Sequence, residues 1–200
     1  MAKLHFIHST MNAGKSTQLL QVHFNYQERG MNCLLLTFAG DNRYGAGQIT
    51  SRIGLQADAQ TFSPDDNLLD THLLSAKAQG VACVLIDEAQ FLTKQQVDQL
   101  CEAVDDLNLP VMAYGLRNDF QGKLFEGSAA LFAKADEIRE TRTICHCGKK
   151  ATHVLRKDAS GKPTLDGETV QIGGNDTYVS LCRKHWREAH GLTRQIKTQA

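Results

Sequence analysis

The chain opens with a β-prone run, Leu4-His5-Phe6-Ile7-His8, that ends in a polar loop and predicts a strand. From residue 15 to 29 the spacing turns helical, with Leu19, Leu20, His23 and Phe24 near one face and Gly30 as a C-terminal stop. Cys33-Leu34-Leu35-Leu36 is apolar without alternation, the mark of a strand covered on both faces. Residues 40–54 carry little apolar periodicity and predict a mobile loop. A helix follows over 68–78, then a second buried strand over 81–86. Thr93 is placed to cap a helix carrying Val97, Leu100, Cys101, Val104 and Leu107 at helical spacing. Pro110 opens a third buried strand over 111–114.

Strands alternating with helices predict an α/β domain with a mainly parallel sheet flanked by helices, over residues 1–143. The rhythm breaks near Ile144. Beyond it come cysteines, two short β-prone runs at 153–155 and 170–172, a Gly/Lys/Pro-rich connection and a short helix around Trp186. These predict a small second domain over 144–192, with residues 193–200 as a disordered tail.

Composition refines this picture in three ways. Lys plus Arg equals Asp plus Glu at 22 each, which argues against a protein whose main business is coating nucleic acid. The balance is uneven: from Arg139 onward there are 12 basic against 6 acidic residues, so the last third could attract an anion or simply present a solvated basic face. No run of about 18 uncharged apolar residues exists to span a membrane. The first residues lack the apolar core of a secretory signal, so the expected compartment is the cytosol. There the six cysteines read as thiols or metal ligands.

Ser9-Thr10-Met11-Asn12-Ala13-Gly14-Lys15-Ser16-Thr17 lies between the first strand and the first helix. Successive backbone N–H groups and a helix N-terminus there form an anion cradle, a P-loop. Lys15 can reach the β- and γ-phosphates of ATP, and the Ser16 hydroxyl can bind Mg²⁺. Gly14 keeps a Cβ away from the phosphates. Ser9 stands where a P-loop usually has its first glycine.

Asp87-Glu88 ends the second buried strand, and carboxylates at the C-terminal end of a parallel strand face the ligand crevice. Asp87 is suited to orienting Mg²⁺, and Glu88 is a candidate general base for an attacking hydroxyl. In a motor ATPase the same pair would activate water. Cys145-His146-Cys147 and Cys182-Arg183-Lys184-His185 offer two ligand pairs for a closed, structural Zn²⁺ site made of Cys145, Cys147, Cys182 and His185. His146 and His153 are rival ligands. Cys33, Cys83 and Cys101 lie within apolar runs and read as core.

Taken in order, Met11-Asn12-Ala13-Gly14-Lys15-Ser16-Thr17, Asp87-Glu88-Ala89-Gln90-Phe91, the run from Tyr114 through Leu116 to Phe120, the paired cysteines, and Ile172-Gly173-Gly174 with Tyr178 before Cys182 form a set that resembles the type II thymidine kinases. The resemblance covers about residues 3–190. It implies transfer of the γ-phosphoryl group of ATP to thymidine, with Glu88 as general base and Gln90 among the nucleotide-binding residues. It implies a lasso loop over about 156–173 that holds thymine through main-chain groups of Val170, Gln171, Ile172 and Gly173. It places Phe91, Phe120, Phe125 and Tyr178 around the base with Met11 and Leu116 beside them, and Arg43 near the phosphate acceptor. It further implies a homotetramer inhibited by thymidine triphosphate (dTTP). Two alternatives remain at this point: a nucleic-acid-stimulated P-loop ATPase, and a nucleotide sensor with a DNA-binding zinc ribbon.

Overall fold

The computed structural model describes residues 1–41, 45, 47–167 and 177–192. The chain runs β1 (Leu4–Ser9), α1 (Lys15–Gln27), β2 (Cys33–Phe38), β3 (Gln48–Thr50), β4 (Gln56–Asp58) and β5 (Gln60–Phe62). A π-helical turn (Leu69–Leu73) leads into α2 (Leu74–Ala78), followed by β6 (Cys83–Ile86), a 3₁₀ turn (Ala89–Phe91), α3 (Lys94–Asp105), β7 (Val111–Leu116), α4 (Glu126–Lys134) and β8 (Glu137–Glu140). The remainder is β9 (His153–Lys157), β10 (Pro163–Thr164), β11 (Tyr178–Leu181) and α5 (Arg183–Ala189).

Six strands form one sheet in the order β5-β2-β6-β7-β1-β8, every pairing parallel. The pleat sends alternate residues to opposite faces. Leu4 and Phe6 of β1, Leu34 and Leu36 of β2, and Val84 and Ile86 of β6 join Val97, Leu100 and Val104 of α3 and Leu131 of α4. Ile7, Leu35, Leu85 and Tyr114 meet Leu19 and Leu20 of α1 on the other face. The sheet is thus covered on both sides, which explains its unalternating apolar strands. Thr93 caps α3 through a reciprocal capping box with Gln96.

Three readings are corrected. The stretch 40–54 contains β3, which pairs with β4 as a hairpin, and Ile49 is fully buried. The helix over 68–78 begins as a π turn. Phe24 is 53% exposed, so the inner face of α1 is carried by Leu19 and Leu20. β5, α4, β8 and β11 were not foreseen.

The C-terminal segment builds its own antiparallel sheet, β10-β9-β11, with α5 packed on it. Its interior is Cys145, Ala151, Leu155, Leu181, Cys182 and Trp186. The Trp186 indole N–H is shared between the carbonyls of Phe120 and Val154, at 3.2 and 3.1 Å, which ties this segment to the chain after β7. The Ser180 hydroxyl donates to the Met11 carbonyl at 2.7 Å, a second tie, made to the phosphate loop itself. Among the described residues no helix is long and apolar enough to cross a membrane. Residues 193–200 and the β-prone run 170–172 lie outside the described residues.

Candidate active site

β1 ends at Ser9 and α1 starts at Lys15, so residues 10–14 must turn the chain at the C-terminal edge of the sheet. Asn12 (φ 64°) and Gly14 (φ 83°) supply the left-handed backbone the turn needs. Ser9 closes β1 and has no positive φ, so a side chain at this position is tolerated without strain. Its hydroxyl donates to Thr10 O at 2.7 Å and accepts from Lys15 Nζ at 3.0 Å. Lys15 also donates to Thr10 O at 3.2 Å, so its ammonium lies folded over the loop.

The Ser16 hydroxyl donates to Asp87 Oδ2 at 2.7 Å, joining the start of α1 to the end of β6. Burial pushes the Asp87 carboxyl up to about 6 and the Glu88 charge adds to this, against the pull of Ser16 and Lys15. A hydroxyl and a carboxylate in contact beside a phosphate cradle are a donor set that fits Mg²⁺.

Glu88 has φ 55°, a left-handed conformation rare for a residue with a side chain. Its N–H donates to Asp87 Oδ1 at 3.0 Å, and its Oε2 accepts from Gln90 Nε2 at 2.5 Å. Gln90 is buried, and its Oε1 accepts from the N–H of Leu116 at 2.8 Å, so one amide links Glu88 to the end of β7. Helix α4 holds this turn from the other side. A Cβ at Gly127 would lie 2.6 Å from Leu92 O and 2.7 Å from Ala89 O, so only glycine lets α4 seat so closely. The Ser128 hydroxyl donates to Leu116 O at 2.6 Å.

One cavity of about 320 Å³ runs from the phosphate loop to an aromatic wall. Residues 11–17, Glu88, Gln90, Phe91, Leu116, Phe120, Phe125 and Tyr178 all line it. Ser9, Thr10 and Asp87 are buried behind that lining. Phe91 lies 4.4 Å from the Phe38 ring and meets Phe125 edge-on at 5.8 Å. The Arg156 guanidinium lies over the Phe120 ring at 3.6 Å and donates to Asp166 O. Burial raises the Tyr178 hydroxyl, while the hydrogen bond from Arg156 works the other way. Arg43, Val170, Gln171, Ile172 and Gly173 lie outside the described residues.

Sequence reasoning did not find Phe38, Asp41, Thr50, Ser51, Arg52, Ile53, Asn118, Asp119 or Val154, which also line the cavity. Phe38 had a signal, being an aromatic at the C-terminal end of a buried parallel strand. Residues 50–53 reach the cavity on the β3–β4 hairpin, which the local pattern hides.

In the C-terminal segment the ligand atoms of Cys145, Cys147, Cys182 and His185 lie within 4.8 Å of one another. Cys145 Sγ and Cys182 Sγ stand 3.3 and 3.5 Å from His185 Nδ1, and Cys147 Sγ lies 3.9 Å from Cys182 Sγ. A tetrahedron with bonds of about 2.0–2.3 Å has edges of about 3.3–3.8 Å, so the donor set fits Zn²⁺ once its widest separations, up to 4.8 Å, close inward. Burial pushes the Cys145 thiol up, but backbone N–H groups of Cys147 and Cys182 and the His185 ring outweigh it, leaving the thiol lowered to about 6. His146 stacks on His185 and His153 packs on Trp186, both outside the converging set. Cys33 and Cys83 behave as core thiols, raised by burial to about 11 and about 12.

A phosphate loop leading into α1, an acidic pair ending the neighbouring strand and a shared cavity define a P-loop enzyme of the nucleoside kinase class. Comparison with known proteins narrows the class. A family model described as thymidine kinase matches residues 2–186. A thymidine kinase of Ruegeria pomeroyi is 62% identical over 191 residues, covering 96% of each chain. One of Jannaschia sp. is 59% identical over 191 residues (96% of this chain, 98% of the relative), and one of Shewanella oneidensis is 55% identical over 188 residues (94% and 98%). The chain belongs to the thymidine kinase family.

Proposed function

We propose that this chain transfers the γ-phosphoryl group of ATP to the 5′-hydroxyl of thymidine, giving dTMP and ADP. The observation that carries the reading is the single cavity joining residues 11–17 to an aromatic wall, with Glu88 between them. A pyrimidine fits flat apolar walls, and here they lie in the same cavity as the carboxylate able to take the proton of its sugar hydroxyl.

The backbone N–H groups of the loop bind the phosphates, and Lys15 leaves Ser9 and Thr10 to meet them. Ser16 and Asp87 hold Mg²⁺, which when bound neutralises charge on the phosphates. Glu88, fixed by Gln90, takes the proton of the 5′-hydroxyl as its oxygen attacks phosphorus and the bond to ADP breaks. Phe91, Phe120, Phe125 and Tyr178, with Met11 and Leu116, hold the base. Main-chain groups of Val170, Gln171, Ile172 and Gly173 complete its recognition, and Arg43 adds positive charge near the acceptor. Cys145, Cys147, Cys182 and His185 hold a structural Zn²⁺ that keeps the segment 144–192 together as a lasso domain beside the ATP-binding domain 1–143. The working form is a cytoplasmic homotetramer inhibited by dTTP.

Glu88→Gln keeps size and hydrogen bonding but cannot accept the proton. Turnover with thymidine and ATP should fall by about hundredfold or more, with nucleotide binding retained. Near-normal turnover, read by mass analysis of dTMP, would remove Glu88 from the base role.

A further inference from the structure

The basic excess of the last third is not spread evenly over a solvated surface. A groove of about 530 Å³ is lined by Arg117, Lys149, Lys150, Arg183, Lys184 and Arg187, with Thr152 and His153 half-buried along it. Among the described residues that line it there is no Asp or Glu. Some of these cations have acidic partners nearby: Lys150 pairs with Glu140 at 2.7 Å and Lys184 with Glu188 at 3.6 Å. Arg187 donates to Leu192 O at 2.8 Å. Arg117 and Arg183, from distant parts of the sequence, line the same groove as His153. Cations gathered along one groove repel one another, and an anion bound among them relieves that repulsion.

We propose that this groove is a binding site for a small polyphosphate anion, separate from the phosphate loop. Guanidinium forks match phosphoryl oxygens two at a time, and the flanking lysines add point charge. The six cations line a single groove, and the chain as a whole carries no net charge. A compact anion therefore fits better than a nucleic-acid strand, which needs an extended basic track. The site also joins two parts of the molecule. Arg117 follows β7, and its N–H donates to Ser9 O at 2.9 Å at the edge of the phosphate loop, while the other five cations belong to the C-terminal segment. A bound anion clamps that segment against the end of β1.

The test is calorimetric titration of the full-length, zinc-loaded protein with inorganic tripolyphosphate. Three forms are compared: the parent, Lys15→Ala to weaken the phosphate loop, and Arg117→Gln with Arg183→Gln to weaken the groove. The parent should show two classes of site, and Lys15→Ala should keep the groove class. The arginine pair should lose that class, with affinity falling by about tenfold or more as charged hydrogen bonds are removed. Lys149→Gln with Arg187→Gln should do the same and serves if the first pair fails to fold. The proposal is overturned if Lys15→Ala abolishes all binding, or if both groove variants bind like the parent. It is equally overturned if a short single-stranded oligonucleotide displaces tripolyphosphate from the groove at equal phosphate concentration, since the occupant would then be nucleic acid.

Discussion

The parallel-sheet region and the C-terminal segment keep their shapes by different means. The sheet is packed on both faces, and side chains such as Phe6, Leu36, Ile86 and Leu100 are wholly buried. Among the described residues, the C-terminal segment's own hydrophobic cluster holds six buried residues, and two of them, Cys145 and Cys182, are cysteines of the candidate metal cluster. So small a core buries too little apolar surface to offset the entropy of ordering the chain. One region is held by hydrophobic burial, while the other is proposed to depend on a metal and on its contacts with the first. The part that handles phosphate is therefore the robust one, and the part proposed to handle the base is the conditional one.

The strongest way to break this contrast is to remove zinc. Chelation should unfold the C-terminal segment and abolish thymidine binding, since structural zinc sites contribute on the order of 10 kcal/mol to folding. Binding of a non-hydrolysable ATP analogue should survive. If thymidine affinity and thermal melting are unmoved by chelation, the metal has no structural role. Leu100→Ala probes the opposite side. It should lower the stability of the sheet region by about 2–5 kcal/mol, read by denaturant unfolding, while leaving zinc content unchanged. Trp186→Phe attacks the joint. It removes the N–H shared by Phe120 O and Val154 O and leaves two buried carbonyls short of a donor, which costs about 1–3 kcal/mol. The loss should appear as weaker thymidine binding with nucleotide binding retained, and equal loss of both would contradict the division.

Mild acid gives the smallest effect. The Cys145 thiol is lowered in the fold from its ordinary value of 9.0 to about 6. The stability that its thiolate contributes is full above the unfolded value and is lost as pH falls through the folded one. Because protons compete with the metal for the thiolates, zinc release to a chromogenic chelator should rise as pH falls, before the far-ultraviolet signal of the sheet region changes. Simultaneous loss of both would tie them into one cooperative unit.

The same contrast explains what could be read from sequence. The covered strands β1, β2, β6 and β7 announce themselves as apolar runs, and α3 by its spacing and its Thr93 cap. β8 reads Glu-Ile-Arg-Glu and is largely solvent-facing, so only its pairing with β1 makes it a strand. The β3–β4 hairpin anchors on Ile49, too little apolar signal to stand out from a loop. In the cavity, residues carried by contiguous motifs were legible: the phosphate loop, Glu88, Gln90 and Phe91, and Leu116 and Phe120. Phe38, Arg52 and Val154 reach it through long-range folding that no local pattern encodes.

The close seating of α4 carries a consequence for fidelity. Phe125 immediately precedes the helix, and Gly127 in its first turn rests on the carbonyls of Ala89 and Leu92, which flank the turn that starts at Glu88. Phe125, proposed to face the base, and Glu88, proposed to face the hydroxyl, thus share one rigid mount. On that reading, a nucleoside whose base pushes Phe125 aside would also swing the carboxylate out of line. An ill-fitting substrate would then be rejected through slow turnover even where it is bound, a discrimination by misalignment that binding measurements alone would miss.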